Sequence, residues 1–170
     1  MFTIRKATPA DAPRLPDVEY SAGQAFKKVQ SLAWIADDDV QTPETHIALM
    51  ERGVAWVAVD DADTPIGFIN GEPLDGYLHI WEMSVNRDQQ GKGIGRSLMN
   101  EAKEHAKSNG YKGLTLTTFR RVPWNERFYA SAGFSLLQPA DVSPALTKIL
   151  EEEVKAGLPG NRRCAMRLEF

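Results

Sequence analysis

Gln90-Gly91-Lys92-Gly93-Ile94-Gly95-Arg96-Ser97 places three glycines within five residues, directly ahead of an amphipathic helix. No other stretch constrains the fold as much: the chain must arrive extended, turn tightly and leave as a helix. Glycine permits the turn and lets main-chain N–H groups approach a ligand with no side chain between. The first turn of a helix adds unpaired N–H donors and a partial positive charge, so the combination suits an anion, typically a phosphate. Asp and Glu usually occupy that first turn. Here Lys92 and Arg96 stand at it, and the run from Gln89 to Asn100 contains no acidic residue. A glycine turn that only joins a strand to a helix accounts for the same residues, so the surrounding pattern must decide.

That pattern alternates strands with helices. Phe2 to Ala7 reads as a strand, and Pro9-Ala10-Asp11 opens a helix running to about Lys28. A second helix spans Pro43 to Arg52 and stops at Gly53. Val54 to Val59 is an apolar strand that the turn Asp60-Asp61-Ala62-Asp63-Thr64-Pro65 returns into Ile66-Gly67-Phe68-Ile69, a hairpin signature. Tyr77 to Val85 is a further strand ending at the glycine loop. Ile94, Leu98, Ala102 and Ala106 then form one apolar helical stripe, closed by Asn109-Gly110. Gly113 to Thr118 is a strand, and Pro123-Trp124-Asn125 starts a short helix that stops at Gly133, before Phe134-Ser135-Leu136-Leu137. Ser143 to Ala156 is helical and Arg162 to Phe170 is a closing strand. The sum is one mixed α/β domain over residues 1–170, with about seven strands and helices between them.

A net charge of −3 argues against a dedicated nucleic-acid binder. No apolar run approaches the roughly 20 residues of a membrane span. No secretory signal follows Met1-Phe2-Thr3-Ile4-Arg5-Lys6, and the lone Cys164 fits a reducing compartment, so a cytoplasmic protein is expected. Cys164 reads as a small apolar strand residue. His46 and His105 lie in helices among polar neighbours and read as surface residues. No Cys/His/Asp spacing suggests a metal site. Asp37-Asp38-Asp39 reads as a solvated loop, or as a lure for a cationic amine.

The glycine loop is neither a dinucleotide fingerprint nor a P-loop. Arg96 and Leu98 fall where a third glycine belongs, and no Gly-Lys-Ser/Thr closes the run. It does match Q/R-x-x-G-x-G/A through Gln90, Gly93 and Gly95. Val85-Asn86-Arg87-Asp88-Gln89-Gln90-Gly91-Lys92-Gly93-Ile94-Gly95 resembles the acetyl-CoA pyrophosphate loop of the GCN5-related N-acetyltransferase (GNAT) superfamily. Trp124-Asn125-Glu126-Arg127-Phe128-Tyr129-Ala130-Ser131-Ala132-Gly133-Phe134 resembles its second signature. One helix and one strand separate the blocks, as in the superfamily, and Ile66-Gly67-Phe68 is a weaker third match.

The resemblance implies an acyl-CoA N-acyltransferase fold with helices on both faces of the sheet and splayed fourth and fifth strands. Acetyl-CoA is then the co-substrate. Main-chain groups of Met83, Ser84 and Val85 would hold its pantetheine arm. The loop of Gln90, Gly91, Lys92, Gly93, Ile94, Gly95, Arg96 and Ser97 would hold its pyrophosphate, and Asn125 would fix the arm or cap its helix. Acetyl transfer needs a deprotonated amine, an oxyanion site and a proton for the thiolate. Tyr129 matches the superfamily's tyrosine acid. Glu82 and His79 contend as base from one strand, where alternation puts them on opposite faces. Glu19, Tyr20 and Phe26 fall on the first helix, which in the superfamily borders the acceptor pocket. The expected acceptor is a small-molecule primary amine, with a peptide acceptor or a non-catalytic acyl-CoA sensor as alternatives. A homodimer is the assembly that the superfamily suggests.

Overall fold

Strand β1 (Thr3–Lys6) pairs antiparallel with β2 (Val54–Val59), and β2 with β3 (Pro65–Leu74), in a computed structural model that describes residues 1–170. Strands β4 (Tyr77–Val85), β5 (Gly113–Phe119), β6 (Ser135–Leu136) and β7 (Arg163–Glu169) complete a seven-stranded mixed sheet in the order β1-β2-β3-β4-β5-β7-β6. Two compact units divide the chain, Met1–Glu72 with Trp81–Ala102, and Pro73–Ile80 with Lys103–Phe170.

In the first unit every residue of β2 is buried, which is why Val-Ala-Trp-Val-Ala-Val shows no polar alternation. Helices α1 (Leu15–Gly23) and α2 (Pro43–Arg52) belong to this unit. Leu15 and Val18 of α1 pack with Val57, Val59 and Phe68 to form its core. Thr42 caps α2 by accepting the Thr45 N–H, Pro43 occupies the first turn, and Gly53 ends the helix on the Leu49 carbonyl at 2.8 Å.

The second unit contains the parallel pairing of β4 with β5, through Leu78–Ile80 and Leu114–Leu116. The ladder stops there, although β4 runs on to Val85 and β5 to Phe119. Strand β7 pairs with β5 along seven residues, from Gly113↔Glu169 to Phe119↔Arg163. Helices α4 (Pro123–Ser131) and α5 (Pro144–Lys155) belong here, and Leu146 and Ile149 of α5 pack on Ala165. Arg163 and the Thr117 hydroxyl both bond the Glu153 carboxylate, tying α5 to β5 and β7.

Two expectations change. The first helix is interrupted: α1 ends at Gly23, tight 3-10 turns carry the chain to Lys28, and another such run spans Gln30–Asp37. Strand β3 extends through Asn70-Gly71-Glu72-Pro73 to Leu74, past the apolar residues that marked it.

Candidate active site

The glycine loop is held from behind. After β4 the Asn86 N–H bonds the Ile66 carbonyl at 2.9 Å, and the Gln90 side chain donates to the Val85 carbonyl at 3.1 Å. Gly91 and Gly93 then adopt φ of +79° and +83°, the left-handed region that side chains resist. Nothing lies within 4 Å of where a Cβ would stand at either. Backbone conformation, not crowding, therefore demands these glycines. Helix α3 (Ile94–Ser108) begins at once, and Gly67 brings it close to β3. A Cβ on Gly67 would stand 3.2 Å from both the Ile94 side chain and the Ser84 carbonyl.

The Gln90 N–H reaches the Arg87 carbonyl at 3.4 Å and the Ser97 N–H bonds the Gly93 carbonyl at 3.0 Å. Between them, no main-chain N–H from Gly93 through Arg96 donates to an acceptor of the chain. Lys92 and Arg96 are exposed, with Lys92 Nζ donating to the Gln89 side chain at 3.0 Å. The loop therefore offers a row of donors at the positive end of a fifteen-residue helix.

On the second half of β4, Glu82 is half-buried and accepts the Ser84 hydroxyl at 3.0 Å. His79, three residues earlier, is 1% exposed, with Nδ1 bonded to Thr115 Oγ1 at 2.9 Å. On α4 the half-buried Tyr129 ring meets Phe128 and Phe134 edge-on, at 5.3 and 5.8 Å between centroids. The N-cap of α4 is Val122, so Asn125 does not cap the helix. Its side chain donates to Thr118 Oγ1 at 3.1 Å. Cys164 is buried in β7 as expected, and burial pushes its thiol pKa up, away from nucleophilic use.

The profile of the Acetyltransferase (GNAT) family matches residues 23–134, from the end of α1 to the close of the second sequence block. The chain belongs to that family. Solved structures share its fold. The PaiA N-acetyltransferase of Thermoplasma acidophilum, in complex with coenzyme A, is 18% identical with a TM-score of 0.74, over 100% of this chain and 99% of that one. The ribosomal-protein-S18-alanine N-acetyltransferase of Escherichia coli is 16% identical with a TM-score of 0.70, over 99% and 94%. Ard1 of Thermoplasma volcanium is 16% identical with a TM-score of 0.66, over 99% of each chain. No helix is long and apolar enough to cross a membrane, and no group of three or more His, Cys, Asp or Glu residues is placed to hold a metal ion.

Within this GNAT chain two polar residues have surroundings that the sequence did not show. Glu19 of α1 is half-buried and accepts the Gln41 N–H at 3.0 Å. Burial, joined by repulsion from Glu82, lifts its carboxyl well above the usual range, against the pull of the Gln41 N–H. His46 is no surface residue: it is 1% exposed, three residues before the equally buried Leu49 on α2. Polar neighbours in sequence masked that shared face. Its ring stands edge-on to Phe68 at 4.8 Å, and Nδ1 lies 3.4 Å from the Asn70 side-chain nitrogen. The imidazole therefore accepts at Nδ1 and carries its proton on Nε2, which has no partner. Burial pushes the His46 pKa down to about 4. His105 is half-buried, stacked on Tyr111 at 6.4 Å.

The two shifts act on stability with opposite sign. Unfolded His46 binds a proton near pH 6.5 that the folded residue refuses, so its contribution is intact above about 6.5 and lost as pH falls to 4, by about 3 kcal/mol at most. Glu19 is raised in the folded state, so its contribution is present below its unfolded pKa and lost as pH rises through the folded one. Over the shared window the slopes offset each other. Urea unfolding of Glu19→Gln is accordingly expected to show stability falling between pH 6.5 and 4, more steeply than the unaltered protein. Equal slopes in the two would mean that Glu19 titrates normally.

Proposed function

We propose that this chain is an N-acetyltransferase that moves the acetyl group of acetyl-CoA to the primary amine of a small molecule by direct attack. The row of unclaimed N–H groups from Gly93 through Arg96, at the start of α3, carries the proposal, because a diphosphate is the ligand that such a row suits. Coenzyme A bound to the Thermoplasma acidophilum relative supports the same reading. The main chain of Met83 to Val85, past the end of the parallel ladder, would take the pantetheine arm, and the Asn125 amide would steady it.

Glu82 is the base in this reading, with His79 as its rival. Glu82 is the less buried of the two, and its Ser84 bond fixes one oxygen. It removes a proton from the ammonium, the nitrogen lone pair attacks the acetyl carbon, and N–H donors stabilise the oxyanion. The C–S bond then breaks, Tyr129 gives its phenolic proton to the departing thiolate, and the second proton lost by the attacking nitrogen passes through solvent to restore the phenol.

Incubation with acetyl-CoA and a panel of alkylamines, amino acids and short peptides tests this by thiol release. One thiol is expected per amide formed, with alkylamines ahead of peptides. Tight acetyl-CoA binding with no thiol from any acceptor would identify a sensor instead.

A further inference from the structure

We propose that the corner where β5 ends and β7 begins binds a phosphate monoester as its dianion, on the guanidinium groups of Arg120 and Arg121. The inference stands apart from the acetyl-transfer reading. Every residue in it belongs to the second unit, and none has a part in that chemistry.

Two arginine pairs, Arg120-Arg121 and Arg162-Arg163, lie far apart in the sequence of a chain whose net charge is −3. The β5–β7 ladder ends at Phe119↔Arg163, and the Arg120 N–H then bonds the Arg162 carbonyl at 2.6 Å, which brings the pairs side by side. Like charges so gathered repel, and only carboxylates or an anion from outside relieve them. The carboxylates of this corner are both engaged. Glu153 holds Arg163 and the Thr117 hydroxyl, and Glu126 accepts the main-chain N–H of Arg121, not a guanidinium. The Arg162 side chain donates to the carbonyls of Arg120 and Arg121, at 3.2 and 3.4 Å, and so braces the turn. Arg121 gives one side-chain N–H to the Asn161 carbonyl at 3.1 Å. Arg120 and Arg121 are exposed and take part in none of the chain's ion pairs.

Backbone conformation is a second, independent feature. Arg121 has φ of +58°, a left-handed state that Gly, Asn or Asp adopts more readily than arginine. An arginine there opposes folding through its backbone and through its charge, and strain of this kind collects where ligands are held. Strand alternation also ends at Phe119, so neighbouring side chains are no longer forced to opposite faces. Two guanidinium forks supply paired N–H donors and two positive charges, the complement of a phosphate dianion, whereas one carboxylate would neutralise half of that charge. The same chemistry serves the 3'-phosphate of coenzyme A or the phosphate of a separate metabolite.

Methyl phosphate is the probe, at about pH 7.5, above its second pKa near 6, with methyl sulfate as the analogue of similar shape and one charge fewer. Saturable shifts are expected in the amide resonances of Arg120, Arg121 and Asn161, with methyl sulfate the weaker ligand. Arg120→Gln and Arg121→Asn should each raise the Kd for methyl phosphate roughly tenfold, the scale of a hydrogen bond to a charged group. Arg14→Gln removes an exposed arginine of the first unit and should leave that Kd unchanged. Arg121→Asn should melt no lower than the unaltered protein, because the left-handed position suits Asn. The absence of saturable shifts, equal affinity for methyl sulfate, equal weakening by Arg14→Gln, or a lower melting temperature for Arg121→Asn would overturn the proposal. Calorimetric titration with coenzyme A and 3'-dephospho-coenzyme A identifies the source. If Arg120→Gln weakens coenzyme A alone, the 3'-phosphate is the ligand, and if it weakens neither, the ligand is a separate phosphate ester. Equal weakening of both would mean that the substitution disturbs more than a phosphate contact, which also counts against the site.

Discussion

Gly93→Asp is expected to fold and to bind acetyl-CoA at least about a hundredfold more weakly. Gly93 has φ of +83°, which Asp and Asn tolerate better than other side chains, and no atom lies within 4 Å of the new Cβ. The added carboxylate would stand among the N–H groups that start α3. A diphosphate bound there would lie about 5 Å from it, where like charges at an effective dielectric near 20 repel by about 3 kcal/mol. Gly93→Asn has the same shape and no charge, so the difference between the two variants isolates electrostatics from backbone strain. Calorimetric titration with coenzyme A is the measurement. If both variants bind as the unaltered protein does, the diphosphate lies elsewhere and the acetyltransferase mechanism loses its anchor.

How much of this was written locally depends on the kind of signal. The bounds of α2 and β4 follow from Pro43, Gly53 and the alternation of Tyr77 to Val85, because punctuation and period act within a few residues. The glycine loop was legible for the same reason: its backbone demand is met by the residues themselves. Strand β3 was cut short because Asn70, Gly71, Glu72 and Pro73 look like a turn. Pairing with β2 as far as Gly71 and the Glu72 bonds to Arg52 and Trp81 hold the extended form instead. The 3-10 runs after α1 lack the 3.6-residue period that marks a helix. Insertion of β7 between β5 and β6 left no local trace at all. His46 did leave one, its helical spacing from Leu49. Glu19 was visible only as a first-helix residue at the place of the superfamily's acceptor pocket, since its partners, Gln41 and Glu82, come from distant segments. Residues whose role comes from the neighbours that folding brings are the ones that sequence conceals.

Tyr129→Phe is expected to lower kcat by on the order of a hundredfold while the KM for acetyl-CoA changes little. The substitution keeps the ring, and with it the edge-on contacts to Phe128 and Phe134. The main-chain bond from the Phe134 N–H to the Tyr129 carbonyl at 3.0 Å, which holds the end of α4, is also untouched. Stability should therefore stay within about 0.5 kcal/mol, as for a substitution that creates no cavity. What disappears is one O–H, and general-acid assistance of this kind is worth roughly a hundredfold to ten-thousandfold. The lower end applies because a thiol with a pKa near about 8.5 leaves moderately well without help. Acetyl donors with more acidic thiols sharpen the test: the deficit should shrink as the leaving thiol becomes more acidic, since its departure depends less on a proton. A deficit independent of the thiol would assign Tyr129 to packing or oxyanion contact, and an undiminished kcat would leave the phenol with no part in the chemistry.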